Sequence, residues 1–175
     1  MDSPNAAAAQ VARRTLAVFA TLLLAWSLVW LAKDYLDRTL VWFRDERTTA
    51  AFWLVAKILV WILPAFYLLR SAGRDFAGVV NCQEWRRWTW WGVGVGLLIA
   101  VTGIVPKLIA GAPLLSSKFC YATFTALIIA PLFEEFLMRA AVMGNLVPAW
   151  GLARANLIAA VGFVLLHLPG WYMMG

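Results

Sequence analysis

Apolar positions in this chain neither alternate nor recur every third and fourth residue. They run almost unbroken for long stretches, at 15–32, 50–69, 88–105, 119–142 and 150–168, separated by shorter stretches that hold most of the charge. A helix rises about 1.5 Å per residue, so each run is near the roughly 20 residues needed to cross about 30 Å of hydrocarbon. Inside lipid a helix satisfies its own backbone donors and acceptors, whereas an open strand cannot. The pattern predicts an all-α fold, a polytopic transmembrane helix bundle of about five spans plus interfacial helices, as one domain over residues 1–175. Residues 1–12 are weakly patterned and are expected to be disordered. The first run follows Arg13 and Arg14 as a secretory leader would, but it ends in Lys33 and Asp34 without a small-residue cleavage site, which suits an uncleaved anchor.

Composition agrees with that reading: 63% of the residues are hydrophobic and 14% charged, and the mean hydropathy is +0.78, values no ordinary soluble domain shows. The formal charge of +6 does not point to nucleic acid, because the basic residues lie mostly between apolar runs and not on one polar face. The expected partners are the lipid bilayer and a membrane-anchored peptide or protein substrate, with no nucleic acid. With the N-terminus inside, Arg13, Arg14, Arg70, Arg74, Arg86, Arg87 and Arg154 lie on one side and Lys33, Arg38, Arg44, Arg47, Lys107 and Lys118 on the other, too even a division to set orientation. Cys82 and Cys120 lack the spacing of a disulfide framework or a zinc site and read as free thiols.

Between the first two runs, residues 33–48 mix four basic and four acidic side chains with aromatic ones, a composition suited to an interfacial helix. Residues 71–91 bring Arg74, Arg86 and Arg87 together with four tryptophans as an aromatic and basic belt. Gly92 and Gly96 stand on one helical face, where they would admit a neighbouring backbone. Lys57 lies inside the second run with Trp53 and Trp61 four residues to either side. A snorkelling stem with cation–π contacts accounts for it, and it is left out of the site.

The charge that needs explaining lies in the fourth run, where FCYATFTALIIAPLF leads straight into Glu134, Glu135 and, one turn on, Arg139. Each ionisable side chain near a membrane midplane costs about 2.5–3.5 kcal/mol on insertion scales, so three are kept only where partners or water receive them. Glu135 precedes Arg139 by four residues, the order that best forms an ion pair along a helix, while Glu134 points about 100° away and needs another partner. Pro131 frees the carbonyl of Leu127 and favours a kink three residues before Glu134. His167, the only histidine, lies in the next run. With the fourth helix ending near Leu146 and the fifth beginning near Gly151, Glu134 lies about 18 Å and His167 about 24 Å from the turn, close enough in depth for an antiparallel hairpin to join them. A carboxylate beside an imidazole in a poorly solvated pocket can hold a water and take its proton. Phe163 falls one turn before His167 and can pack over the ring. Asn156 is assigned no role.

EEFLMR at 134–139 fits EExxxR and FVLLH at 163–167 fits FxxxH, on successive helices. In these motifs the chain resembles the CPBP family of intramembrane proteases, which includes CAAX prenyl endopeptidases and bacteriocin-processing proteins. The resemblance implies an endopeptidase that cleaves membrane-associated substrates in a bacterial or archaeal plasma membrane. It assigns Glu134 as the base that activates water, His167 as its partner and Glu135 with Arg139 as a supporting pair. No cofactor is expected. One Glu and one His are too few for the three protein ligands a catalytic zinc normally takes, so no metal is expected either. The family's later motif, a second His followed four residues on by Asn or Asp, stabilises the oxyanion and is not found before the chain ends, eight residues after His167. A chain truncated before that motif is the expected explanation. A protein with another oxyanion donor and an inactive relative serving as an immunity or scaffold protein remain alternatives, and a proton-coupled transporter is the reading from another class.

Overall fold

The computed structural model describes residues 4–80, 85–112 and 125–174, and among these every regular element is helical. Helix α1 spans Pro4–Thr39 and leads through a 3₁₀ turn, Val41–Arg44, into α2 over Glu46–Ser71. A short helix α3, Phe76–Val80, precedes α4, Trp85–Ile109. The last two helices are α5, 125–150, and α6, 152–174, joined at Gly151.

Four stretches of the described residues are long and apolar enough to cross a membrane, within Ala6–Thr39, Glu46–Ser71, Thr89–Ile109 and Ala130–Met173. The last of them is two helices. Its hydrogen bonding runs on past Gly151, but that residue has φ 75° and ψ 165°, a backbone conformation glycine alone adopts readily. The chain folds back there: Met138 of α5 lies 3.4 Å from the position a Cβ on Gly162 of α6 would take, and the two helices line a common groove.

α1, α2, α5 and α6 pack as one bundle. Phe19, Leu22 and Trp26 of α1 meet Trp61, Ala65 and Leu68 of α2, Leu137, Ala141 and Leu146 of α5, and Ala155, Ala159 and Leu166 of α6. Among the described residues, none of the apolar window of α4 is buried.

Close helix approach is provided by α6. A Cβ on Gly162 would meet Phe19 Cε1 at 2.7 Å, and one on Gly170 would meet Trp30 Cζ2 at 2.7 Å, so both glycines let α1 aromatics lie against the α6 backbone. Gly92 and Gly96, where such an approach was expected, have nothing within 4 Å of a built Cβ among the described residues. The physical reason is that, among the described residues, α4 buries none of its apolar window, so its glycines meet no neighbouring backbone.

Two other expectations are corrected. Residues 4–12 are helical from Pro4, not disordered: a proline suits the first turn, where its missing N–H is not needed, and Ala6–Ala9 have the strongest helix propensity. Residues 33–48 do not form a separate interfacial helix. α1 runs on to Thr39, helped by Lys33–Asp37 and Arg38–Asp34 ion pairs at i,i+4 spacing. Asp45 then caps α2, accepting the N–H groups of Arg47 and Thr48. Cys82 and Cys120 lie outside the described residues.

Pro64 and Pro131 each follow a widened, π-type turn. Ile58–Ile62 precedes Pro64, and Thr125–Ile129 precedes Pro131. Leu63 N–H donates to Ile58 O, five residues back. A proline has no N–H for the carbonyl four residues before it, and an i→i+5 register passes that carbonyl to the next donor.

One polar node holds the bundle at the Arg74 end. Asn145, buried, donates from Nδ2 to Thr15 Oγ1 at 3.2 Å and to Leu68 O at 3.1 Å. Arg74 Nη1 donates to Asn145 Oδ1 at 3.3 Å and to Ala140 O at 2.9 Å. Four segments of the chain thus share one side chain.

Candidate active site

A cavity of about 580 Å³ opens between α1, α2, α5 and α6. Its wall is largely aromatic, from Trp26, Trp30, Trp53, Trp61 and Trp171, and its polar side chains include Glu134, His167 and Lys57. Tryptophan packing shapes it: Trp26 lies 4.6 Å from Trp61 and Trp30 4.4 Å from Trp53, ring centre to ring centre.

Glu134 and His167 both line this cavity, carried there by the hairpin. The turn at Gly151 lies 17 residues after Glu134 and 16 before His167, so at about 1.5 Å per residue the two stand about 26 and 24 Å from it. The depths agree better than the 18 Å and 24 Å expected, because α5 continues to Trp150 and does not end near Leu146. Among the described residues Glu134 makes no ion pair or hydrogen bond.

His167 is held by its own helix. Its Nδ1 lies 2.8 Å from Phe163 O, and a carbonyl only accepts, so Nδ1 is the donor of that bond and Nε2 is the nitrogen it leaves unused. Phe163 packs against the imidazole at 4.5 Å and Trp171 lies on at 5.9 Å, centroid to centroid.

Glu135 and Arg139 form an ion pair, Nε to Oε2 2.8 Å, with both side chains more than half exposed. They line a second groove of about 400 Å³ between α5 and α6, together with Asn156, Phe163 and the other flank of Glu134. The adjacent carboxylates therefore divide: one is paired on the groove, and the other reaches the main cavity.

Lys57 was left out of the site on the sequence, and the structure brings it in. Its Nζ sits 4.9 Å from the Trp61 ring centre, the cation–π contact its spacing suggested, but it also lines the cavity that Glu134 lines. No signal in the α2 sequence links Lys57 to a carboxylate on α5, since only packing decides which helix faces which. Among the described residues no three His, Cys, Asp or Glu side chains cluster as a metal site.

No curated protein and no solved structure matches the chain. Residues 116–175 match a family model described as Rce1-like, type II CAAX prenyl endopeptidase Rce1-like. That stretch contains both EEFLMR and FVLLH, and over it the chain is similar to type II CAAX prenyl endopeptidases of the Rce1-like kind.

Proposed function

We propose that this chain is an intramembrane endopeptidase of the glutamic type, working in a bacterial or archaeal plasma membrane on membrane-anchored peptide or protein substrates. Glu134 accepts a proton from a water molecule whose oxygen attacks the scissile carbonyl carbon, and the C=O electron pair moves onto the carbonyl oxygen. The tetrahedral intermediate collapses, the C–N bond breaks, and the proton held by Glu134 passes to the departing nitrogen, giving an acid and an amine. His167, protonated on Nδ1 toward Phe163, accepts a hydrogen bond from the same water through Nε2 and orients it. Glu135 and Arg139 support Glu134 by neutralising one another on its flank.

The observation that carries this reading is that Glu134, the carboxylate of the EEFLMR segment that has no ion pair among the described residues, and the one imidazole of the chain line a single cavity. Its aromatic wall suits an apolar anchor, and the family match on residues 116–175 names prenylated C-termini as the first substrates to try.

The test uses the full chain in liposomes with a farnesylated peptide ending in a CAAX sequence and, separately, a leader peptide. Cleavage in H₂¹⁸O must place the label in the new carboxyl group, and Glu134→Gln and His167→Ala must each abolish it. Cleavage that persists near the wild-type rate in Glu134→Gln removes the mechanism. Proton flux without cleavage favours a transporter.

A further inference from the structure

The Arg74 end of the bundle carries a cavity of about 960 Å³ between the last turns of α2 and the start of α3. Arg70, Arg74 and Asp75 line it beside Phe66, Tyr67 and Phe76. Among the described residues it shares no lining residue with the cavity of Glu134 and His167, so it is a separate place with its own chemistry. We propose that it binds an anionic phospholipid, whose phosphate is held by Arg70 and Arg74 and whose chains lie against Phe66, Tyr67 and Phe76.

Depth puts the two arginines where phosphates are. Helix α2 has 26 residues, Glu46–Ser71, about 39 Å at 1.5 Å per residue, which exceeds about 30 Å of hydrocarbon. Its last turn therefore reaches the headgroup layer, and Arg70 lies in that turn with Arg74 just beyond it. Among the described residues the exposed Arg70 guanidinium makes no ion pair or hydrogen bond.

Arg74 is already held in place. Its Nη1 donates to Ala140 O at 2.9 Å and to Asn145 Oδ1 at 3.3 Å, and Gly144 leaves the room that its guanidinium occupies, since a Cβ there would collide with it. A guanidinium has five N–H groups, so those on Nε and Nη2 remain after these two bonds. A fixed arginine loses little side-chain freedom when an anion arrives, and its planar fork matches two phosphate oxygens.

The apolar wall specifies a lipid and not a soluble phosphate. Phe66, Phe76 and Phe136 pack on one another with ring centres 5.9, 5.0 and 5.6 Å apart, yet Phe66, Tyr67 and Phe76 each stay about half exposed. An aromatic surface adjoining two cations fits a ligand that is apolar at one end and anionic at the other. Asp75 does not cancel the attraction: its Oδ1 accepts the Gly78 N–H at 2.9 Å, and two arginines against one aspartate leave a net charge of +1 on the lining. That charge matches a monoanionic phosphodiester, as in phosphatidylglycerol. Basic pockets in helix bundles at the level of the membrane surface take lipid headgroups by this chemistry.

The experiment measures binding and does not depend on the hydrolytic reading. Full-length protein in detergent is titrated with phosphatidylglycerol, phosphatidylcholine and inorganic phosphate, and bound molecules are counted by native mass spectrometry. Wild type should hold one phosphatidylglycerol about tenfold or more tightly than phosphatidylcholine, as two arginines near a surface favour an anionic lipid. Arg70→Gln should lose most of that preference, and because the side chain has no other partner among the described residues the variant should fold as wild type does. Arg74→Gln should lose it too, with Arg74→Lys keeping part, and thermal unfolding of each shows whether the Asn145 node has survived. Phe76→Ser should weaken phosphatidylglycerol binding. Arg14→Gln removes one exposed charge from the same end of the bundle, beside Thr15 and outside the cavity, and should leave the preference unchanged.

Equal affinity for the two lipids in wild type, an unchanged preference in Arg70→Gln, or an equal loss in Arg14→Gln overturns the proposal, the last by showing general surface attraction. Inorganic phosphate that displaces phosphatidylglycerol at comparable concentration overturns the lipid assignment and makes the cavity a phosphate site.

Discussion

His167 donates from Nδ1 to the carbonyl of Phe163, one turn back on the same helix, at 2.8 Å, and the two rings pack 4.5 Å apart. The bond selects the tautomer, and the phenyl ring holds the plane of the imidazole. His167 lines the cavity, and in the proposed mechanism Nε2 is the nitrogen that would act on water. Phe163→Ala should keep Glu134 and the histidine in place but loosen the imidazole, lowering kcat more than it raises KM. A change in KM alone in steady-state cleavage would show that Phe163 only binds substrate.

Glu134→Gln preserves shape and removes the proposed base. General base catalysis contributes typically about 100- to 10,000-fold, so cleavage in this variant should fall by at least the lower figure while binding of a noncleavable farnesylated peptide stays within a few-fold of wild type. A parallel loss of binding would place Glu134 in substrate recognition.

Glu135→Gln tests the flanking pair. Both partners are largely exposed, so removing the charge should cost no more than about 0.5 kcal/mol of stability, read from thermal unfolding in detergent. A large drop in cleavage with that small change in stability would assign the pair to Glu134 and not to folding.

The α1–α6 contact depends on missing side-chain volume. Gly162→Ala would set a Cβ 2.7 Å from Phe19 Cε1, and should cost about 1–3 kcal/mol of stability unless the ring moves. Phe19→Leu in the same chain should recover part of the loss, and additive effects of the two substitutions in thermal unfolding would show that they do not meet.

Asn145→Ala removes the acceptor of Arg74 and the donor to Thr15 and to Leu68 O in one step. Leaving such groups buried and unpaired costs about 1–3 kcal/mol, and the same unfolding measurement reads it. Asn145→Asp keeps the acceptor but not the donors, and should fall between the alanine variant and wild type.

Length and hydropathy of the apolar runs, a one-dimensional property, were enough to specify an all-helical chain with helices able to cross a membrane. The i,i+4 spacing of Glu135 and Arg139 specified their ion pair, because both residues lie on one helix and local geometry decides whether they touch. The same holds for Phe163 against His167 and for Lys57 over Trp61. EEFLMR and FVLLH marked the segment that the family match then covered.

What the sequence could not hold is which faces meet. Gly92 and Gly96 carry the four-residue spacing of a close helix approach, yet among the described residues it is Gly162 and Gly170 of α6, without that spacing, that receive a neighbour. Asn145 and Arg74 are 71 positions apart and became one polar node only when four segments converged. Lys57 reads on its own helix as a charge resting on an indole. Packing of α2 against the α5–α6 hairpin turned it onto the cavity that Glu134 lines, because contacts between helices depend on the rotation and register of each about its axis, and hydrophobic runs apolar on every side leave both undetermined.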